Sequence, residues 1–448
     1  MAPESERFAR THPEPTTPER YRAVRAATEA LAAPLGPEDA ALQSMPDASP
    51  AKWHLAHTTW FFETFVLRPH APGYRALDPA YEQLFNSYYQ AVGSPYPRSR
   101  RGLLSRPSLA GVQAYRRHVD ASISDLLADG LAARDPALSA RVELGLQHEQ
   151  QHQELILTDV KHLFAQSPLR PAYRAAGFAP PALEHASGTP GLSYRAHPGG
   201  IARIGHDGPG FAFDNEAPRH RRLLEPFRLA SRLVTNGEWL AFMADGGYAR
   251  PELWLADGFD AAQAHGWHAP LYWERDGAGW LHFTFDGRAP LVLDEPVCHV
   301  SAYEADAYAR WAGARLPGED EWEVVAAGAP SAGNFVESGR LRPEAATQDG
   351  DTVVQLFGDV WEWTRSAYAP YPGYRIPPGA LGEYNGKFMS GQLVLRGGSC
   401  LTPGSHARPT YRNFFPPGAR WQMTGVRIAL DAVDGTAGMD AAGTRGAR

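Results

Sequence analysis

The sequence predicts an α plus α+β protein, with an N-terminal four-helix bundle followed by a loop-rich mixed domain. Three observations carry this. The chain has 448 residues, more than a single hydrophobic core usually serves. Between residues 20 and 166, apolar side chains recur with helical period in four long segments. Beyond them come short alternating stretches broken by Gly and Pro, and most of the chain's 44 glycines lie in its second half.

The elements follow in order. Residues 1–18 are polar and Pro-rich, and residues 433–448 are poor in large apolar side chains, so both read as disordered tails that cannot offset their ordering entropy by burial. The helical segments are YRAVRAATEALAAPL, SPAKWHLAHTTWFFETFVL, SLAGVQAYRRHVDASISDLLADGL and PALSARVELGLQHEQQHQELILTDVKHLF, each read as amphipathic, and together they make a bundle over 19–172. Ser49-Pro50 and Asp135-Pro136 are start signals for the second and fourth helices, a polar cap ahead of a proline in the first turn. The connection between the second and third helices, FNSYYQAVGSPYPRSRRGLLSRP, is far longer than a bundle needs, which points to a functional loop. A linker spans 173–195. The mixed domain covers 196–432, with strand-like stretches such as GGIARIGH and LHFTF and two helical stretches, EADAYARWAGA and EDEWEVVAAG.

Charge and composition restrict the function. With 43 Lys+Arg against 50 Asp+Glu the formal net charge is -7, so no global attraction draws the chain to nucleic acid or an anionic membrane. A small-molecule partner fits better. Cys298 and Cys400 are the two cysteines, too few for a disulfide framework and without zinc- or haem-binding spacing. No signal-peptide core and no run approaching 18 apolar residues is present, so a cytoplasmic location is expected. Oligomeric state is not legible.

The chemistry concentrates in His148-Glu-Gln-Gln-His152-Gln-Glu154. Two imidazoles at i and i+4 are neighbours on one helix face and can reach one metal ion. Glu149 after the first His gives the segment a likeness to zinc-protease motifs, so a zinc hydrolase is one reading. A third ligand must come from another element. The second helix offers His54 and His57, and His57 shares its face with Trp53, Trp60, Phe61 and Thr64, which should turn it inward. An isolated His on an apolar face is more often a hydrogen-bonded core residue, but two His pairs on inward-facing helices reverse that preference. Three neutral imidazoles suit iron, zinc or copper, and His54 competes with His57 for the ligand role. Glu154, two residues from His152, points about 200° around the helix and is read as lying outside the ligand set.

The motifs LAHTTWFFETF, HEQQHQE, FNSYYQAVG, GDVWEWT, LRGGSC and RPTYRNFFPP followed by RWQMTGVRIA, in this order, resemble those of the ergothioneine-type sulfoxide synthases. That family joins a DinB-like bundle to a domain similar to formylglycine-generating enzyme and C-type lectins. The resemblance implies a mononuclear non-haem iron(II) held by His57, His148 and His152, with Glu154 completing the motif without being a ligand. It implies dioxygen-dependent coupling of a thiol, cysteine or gamma-glutamylcysteine, to imidazole C2 of N-alpha-trimethylhistidine (hercynine), giving a sulfoxide in ergothioneine biosynthesis. The closely related selenoneine synthases, which use a selenosugar, are the alternative. Zinc hydrolysis and non-catalytic ligand binding are more remote. The second domain lacks a paired reactive-cysteine arrangement, so oxidase chemistry of its own is not expected.

The resemblance also assigns roles. Gln151 and Asn413 stand where the family holds the trimethylhistidine. Phe414 and Phe415, with Tyr411 and Trp421, offer cation-π faces to its ammonium group. Tyr88 or Tyr89 stands where members using free cysteine place a proton-donating tyrosine, the other packing the loop. Arg98, Arg100, Arg101 and Arg106 offer guanidinium forks to an acidic or hydroxylated donor. The family stretch PRPxRG reads Pro97-Arg-Ser-Arg-Arg-Gly102 here, so the loop does not assign the donor.

Overall fold

Helix formation at the N-terminus follows the four periodic segments. A computed structural model describes residues 17–128, 130, 134–174, 189–347 and 352–432, and the chain divides into two compact units, Met1–Val160 and Lys161–Arg448. The long helices are α1 (Thr17–Ala32), α2 (Ala51–Phe62), α3 (Leu109–Ala128) and α4 (Pro136–Gln166). Helix α1 takes in Thr17 and Pro18 of the expected tail. The rest of that tail, residues 433–448 and linker residues 175–188 lie outside the described residues.

Two expectations need correction. Helix α2 is not amphipathic, because every residue from Ala51 to Phe62 is buried. A helix apolar around most of its circumference belongs in the centre of its bundle, and its polar members find partners there: Thr59 Oγ1 accepts from Arg25 and Lys52 Nζ donates to the Pro107 carbonyl. Nor does Ser49 cap α2. Pro50 occupies the cap position, while the Ser49 amide donates to Asp159 and its hydroxyl accepts from Arg101. Asp135 does cap α4, its Oδ1 accepting from the amides of Ala137 and Leu138. Helix α2 runs directly into a π-helical turn, Glu63–Leu67, where Glu63 accepts from the hydroxyls of Tyr74 and Tyr115 at 2.6 and 2.5 Å.

The second unit carries β1 (Tyr194–His197), β2 (Gly200–Ile204), β3 (His220–Leu224), β4 (Phe227–Ala230), β5 (Trp273–Asp276), β6 (Gly279–Thr284), β7 (Gly287–Pro290), β8 (Trp361–Ala367), β9 (Leu393–Arg396), β10 (Asn413–Phe415), β11 (Thr424–Gly425) and β12 (Ala429–Asp431). They form small sheets in the orders β1-β4-β12, β10-β9-β8-β11, β2-β3 and β5-β6-β7. Beside the two anticipated helices, α7 (Ala302–Trp311) and α8 (Glu319–Ala326), stand α5 (Asn236–Ala244) and α6 (Ala256–Ala264). Helices α5 and α7 begin with capping boxes, Thr235 with Glu238 and Ser301 with Glu304. One core cluster packs Trp322 and Ala326 on Phe335, Leu356 and Phe357.

The motif residues of this unit are largely internal ion pairs. Arg427 meets Glu362 of GDVWEWT through two bonds of 2.8 and 3.0 Å, both side chains fully buried. Arg396 of LRGGSC donates to Glu319 and Glu323, and Arg412 forks onto Glu319. These pairs fix β9 and the approach to β10, where Asn413, Phe414 and Phe415 pair with Leu395, Val394 and Leu393.

Candidate metal centre

The inner face of α2 and one face of α4 bring His57, His148 and His152 together, all buried, with donor atoms within 4.8 Å of one another. Burial is the first cause that holds all three below the ordinary imidazole value, His148 at about 3. They are therefore neutral near pH 7 and keep the lone pairs that a metal requires.

His57 is fixed most completely. Its ring lies between Trp53, at 4.6 Å and 14°, and Trp60, at 5.5 Å and 15°. Its Nδ1 donates to the Phe85 carbonyl at 2.6 Å, so Nε2 carries the lone pair. That Nε2 is buried and has no hydrogen-bond partner among the described residues. A buried acceptor left open beside two further imidazoles fits a metal ligand better than a core histidine.

His54 lies outside this set of donors. Its Nδ1 is 2.8 Å from His152 Nδ1 and its Nε2 is 3.0 Å from Asp159 Oδ2. Glu154, half-buried, is also outside the clustered donors. Glu149, the base of a zinc-protease reading, is occupied elsewhere: its oxygens accept from Arg25 and Arg116 at 2.8 and 3.0 Å. Burial would raise its pKa, but the two guanidiniums overturn that and hold it at about 2. A carboxylate so held is a poor general base near neutral pH.

The long loop lies against the centre. Tyr89 is fully buried against Trp60 and Phe65. Tyr88, half-buried, stacks on Tyr89 at 4.5 Å with the hydroxyls 3.5 Å apart. The four arginines separate. Arg98, Arg100 and Arg106 are exposed, whereas Arg101 is buried with its guanidinium 3.4 Å from the Trp53 ring centroid, donating to Ser49 and Ser87. Gln151 is half-buried, one residue before His152.

In the second unit Asn413, Phe414 and Phe415 are half-buried on β10. The expected aromatic group is divided there, because successive strand residues face opposite ways. Phe414 stacks on Tyr368 at 4.0 Å, Phe415 meets Trp421 edge-on, and Tyr411 is buried against His406. Both cysteines are buried, and burial pushes the Cys298 thiol up to about 12, which keeps it protonated.

Comparison with known proteins decides the family. The DinB superfamily model matches residues 20–156 and the sulfatase-modifying factor enzyme 1-like domain matches 196–352 and 350–432. The hercynine oxygenase of Mycolicibacterium smegmatis is 35% identical over 424 residues, covering 87% of this chain and 92% of that one. The chain belongs to the hercynine oxygenase family. The family's Mycobacterium tuberculosis member is 34% identical, over 86% of this chain and 92% of its own. A formylglycine-generating enzyme of Streptomyces coelicolor is 28% identical over 52% of this chain. Membership in the hercynine oxygenase family makes the protein a metal-dependent oxidoreductase of sulfoxide synthase type, and the three imidazoles form a cluster that could hold a metal ion. Among the described residues, no helix is long and apolar enough to cross a membrane.

Proposed function

We propose that the chain is an iron(II)- and dioxygen-dependent enzyme that joins sulfur to imidazole C2 of hercynine. The observation that carries this reading is the trio of buried neutral imidazoles with His57 Nε2 left open, in a chain 35% identical to a hercynine oxygenase. The donor is cysteine or gamma-glutamylcysteine. One C–H and one S–H bond are lost, a C–S bond forms, one oxygen atom ends on sulfur and the other leaves as water.

His57, His148 and His152 hold the metal. Iron(II), when bound, supplies oxygen activation and a template for both substrates. The stack of Trp53 and Trp60 keeps water from both faces of His57. Gln151 orients the imidazole by hydrogen bonding through its amide. Tyr88, more accessible than Tyr89, gives the proton. Asn413, Phe414 and Phe415 are the second unit's candidates for substrate contact, and Arg98, Arg100 and Arg106 are the loop's candidates for the donor.

A second reading has a selenosugar as donor and selenium at C2. What supports it is the withdrawal of Arg101 onto Trp53, which leaves one guanidinium fewer for an acidic donor. The test offers anaerobically loaded iron enzyme hercynine with cysteine, gamma-glutamylcysteine and a selenosugar in competition, then admits oxygen and reads products by mass spectrometry. A sulfoxide is expected, and oxygen uptake only when both substrates are present. Tyr88→Phe should lower turnover by about 100-fold, at the low end for loss of a positioned proton donor. A selenium adduct formed in preference selects the second reading, and absence of any coupled product overturns both.

A further inference from the structure

The outward hydrogen bonds of His152 end at a carboxylate. His152 Nδ1 lies 2.8 Å from His54 Nδ1, and His54 Nε2 lies 3.0 Å from Asp159 Oδ2. All three side chains are buried, at 8%, 2% and 6% exposure, so water does not intervene as a substitute partner. Asp159 Oδ2 also accepts from the Ser49 amide at 2.8 Å. An ionised carboxylate accepts only, so His54 Nε2 must donate. A neutral His54 then has its lone pair on Nδ1 and must accept from His152 Nδ1–H. His152 is left with its lone pair on Nε2. The chain of bonds thus permits one proton arrangement for neutral imidazoles, and it is the one in which His152 can bind metal.

We propose that His54 and Asp159 are positioning residues of the metal centre, a buried carboxylate–imidazole relay that fixes the tautomer of His152 and strengthens it as a ligand. The inference rests on the reading that His57, His148 and His152 hold the metal. His57 has a backbone carbonyl behind it, whereas His152 has the negative end of Asp159 conveyed through a second ring. Partners behind a ligating imidazole orient it and raise its basicity, and their loss costs about 10–100-fold in metal affinity. The relay is also tied to the long loop: Ser49, whose amide holds Asp159, accepts through its hydroxyl from Arg101. His152 and Asp159 stand seven residues apart on α4, two turns along the same face, so one helix presents both the ligand and the carboxylate that serves it.

The test measures binding of cobalt(II), as an optical stand-in, and of iron(II) to the full chain under anaerobic conditions. The proteins are wild type, His54→Asn, His54→Leu, Asp159→Asn and His152→Ala, with thermal unfolding recorded for each metal-free protein. The Asn amide oxygen at position 54 can still accept from His152 Nδ1–H but cannot pass on the charge. Affinity should therefore fall in the order wild type, His54→Asn, His54→Leu, the last by about 10–100-fold. Asp159→Asn, the mildest change, should weaken binding several-fold and shift the cobalt(II) d–d bands without changing thermal unfolding appreciably. If the affinities and spectra of His54→Asn and Asp159→Asn match wild type while His152→Ala binds no metal, the relay is overturned and the ligand set stands. If His152→Ala binds metal as wild type does, the ligand set itself fails, and the relay with it. If His54→Leu unfolds, the Asn variants decide.

Discussion

The histidine cluster of the helical unit and the Arg427–Glu362 cluster of the second unit are both buried and polar, yet they are finished differently. Around Arg427 the bonds close inward: Glu362 takes two of its N–H groups, and the carbonyls of Ala230, Val354 and Gln355 take others. Around the imidazoles the hydrogen bonds of His57 and His152 run outward, from His57 to Phe85 and from His152 through His54 to Asp159, and His57 Nε2 stays open on the inside among the described residues. Burying a polar group without a partner is costly. A closed cluster therefore serves the fold, and an open one is kept for a ligand.

The comparison breaks most readily by removing one member of each. Arg427→Ala leaves Glu362 charged and unpaired in the interior, which should cost about 3–5 kcal/mol. His148→Ala removes a neutral ring from an open cluster and should cost less stability while reducing metal content to background. Urea denaturation of the metal-free proteins, with metal analysis of the loaded ones, checks both. Equal destabilisation by the two variants would show that the histidine cluster is part of the structural core after all.

A smaller effect is expected in acid, from Glu149 on the helix that bears His148 and His152. Glu149 has its ordinary value of 4.5 lowered to about 2 by Arg25 and Arg116, against the opposing effect of burial. Its folded value lies below its unfolded one, so its stabilisation is complete above about 4.5 and is lost as pH falls from there to about 2. Linkage puts the loss at about 3 kcal/mol. Unfolding free energies of the metal-free protein between pH 6 and 3 measure its onset. Glu149→Gln, already weakened by loss of the carboxylate that Arg25 and Arg116 share, should show a flatter acid limb, and an unchanged limb would remove Glu149 from the account.

Much of this was legible in the residues, for reasons that differ by element. The four helices of the first unit announce themselves because three-dimensional packing repeats the 3.6 period over many turns. Central burial of α2 was not legible, because Lys52, His54 and Thr58 look like a polar face until their buried partners are known. Helix α5 was missed although Thr235-Asn-Gly-Glu238 carries its capping box, since at nine residues its periodicity is too brief to stand out among glycines. At the centre, the i and i+4 spacing placed His148 with His152, but choosing His57 over His54 needed family resemblance. The structure gives the physical distinction: His57 has an open inner nitrogen, and both nitrogens of His54 are engaged. Asp159, seven residues after His152, was the available signal for that arrangement. The division of Phe414 from Phe415 follows from strand alternation, which becomes visible only once 413–415 are known to pair with β9.

The smallest expected effect concerns the loop, where burial separates neighbouring arginines. Arg101 is withdrawn from solvent: its guanidinium covers Trp53, whose ring also stacks on His57, and its terminal nitrogens donate to Ser49 and Ser87. A desolvated cation–π contact is worth about 2 kcal/mol, so Arg101→Ala should lower stability by about that amount. Arg100 is exposed and is one of the groups available to a donor substrate. Arg100→Ala should change stability by no more than about 0.5 kcal/mol. Because an exposed contact to a carboxylate contributes about 1 kcal/mol at most, the same variant should raise KM for an acidic donor by about five-fold and leave kcat nearly unchanged. Steady-state kinetics with the preferred donor, beside thermal unfolding of both variants, makes the comparison. A donor KM that moves with Arg101→Ala and is indifferent to Arg100→Ala would reverse the assignment and make the buried guanidinium the group that reads the donor.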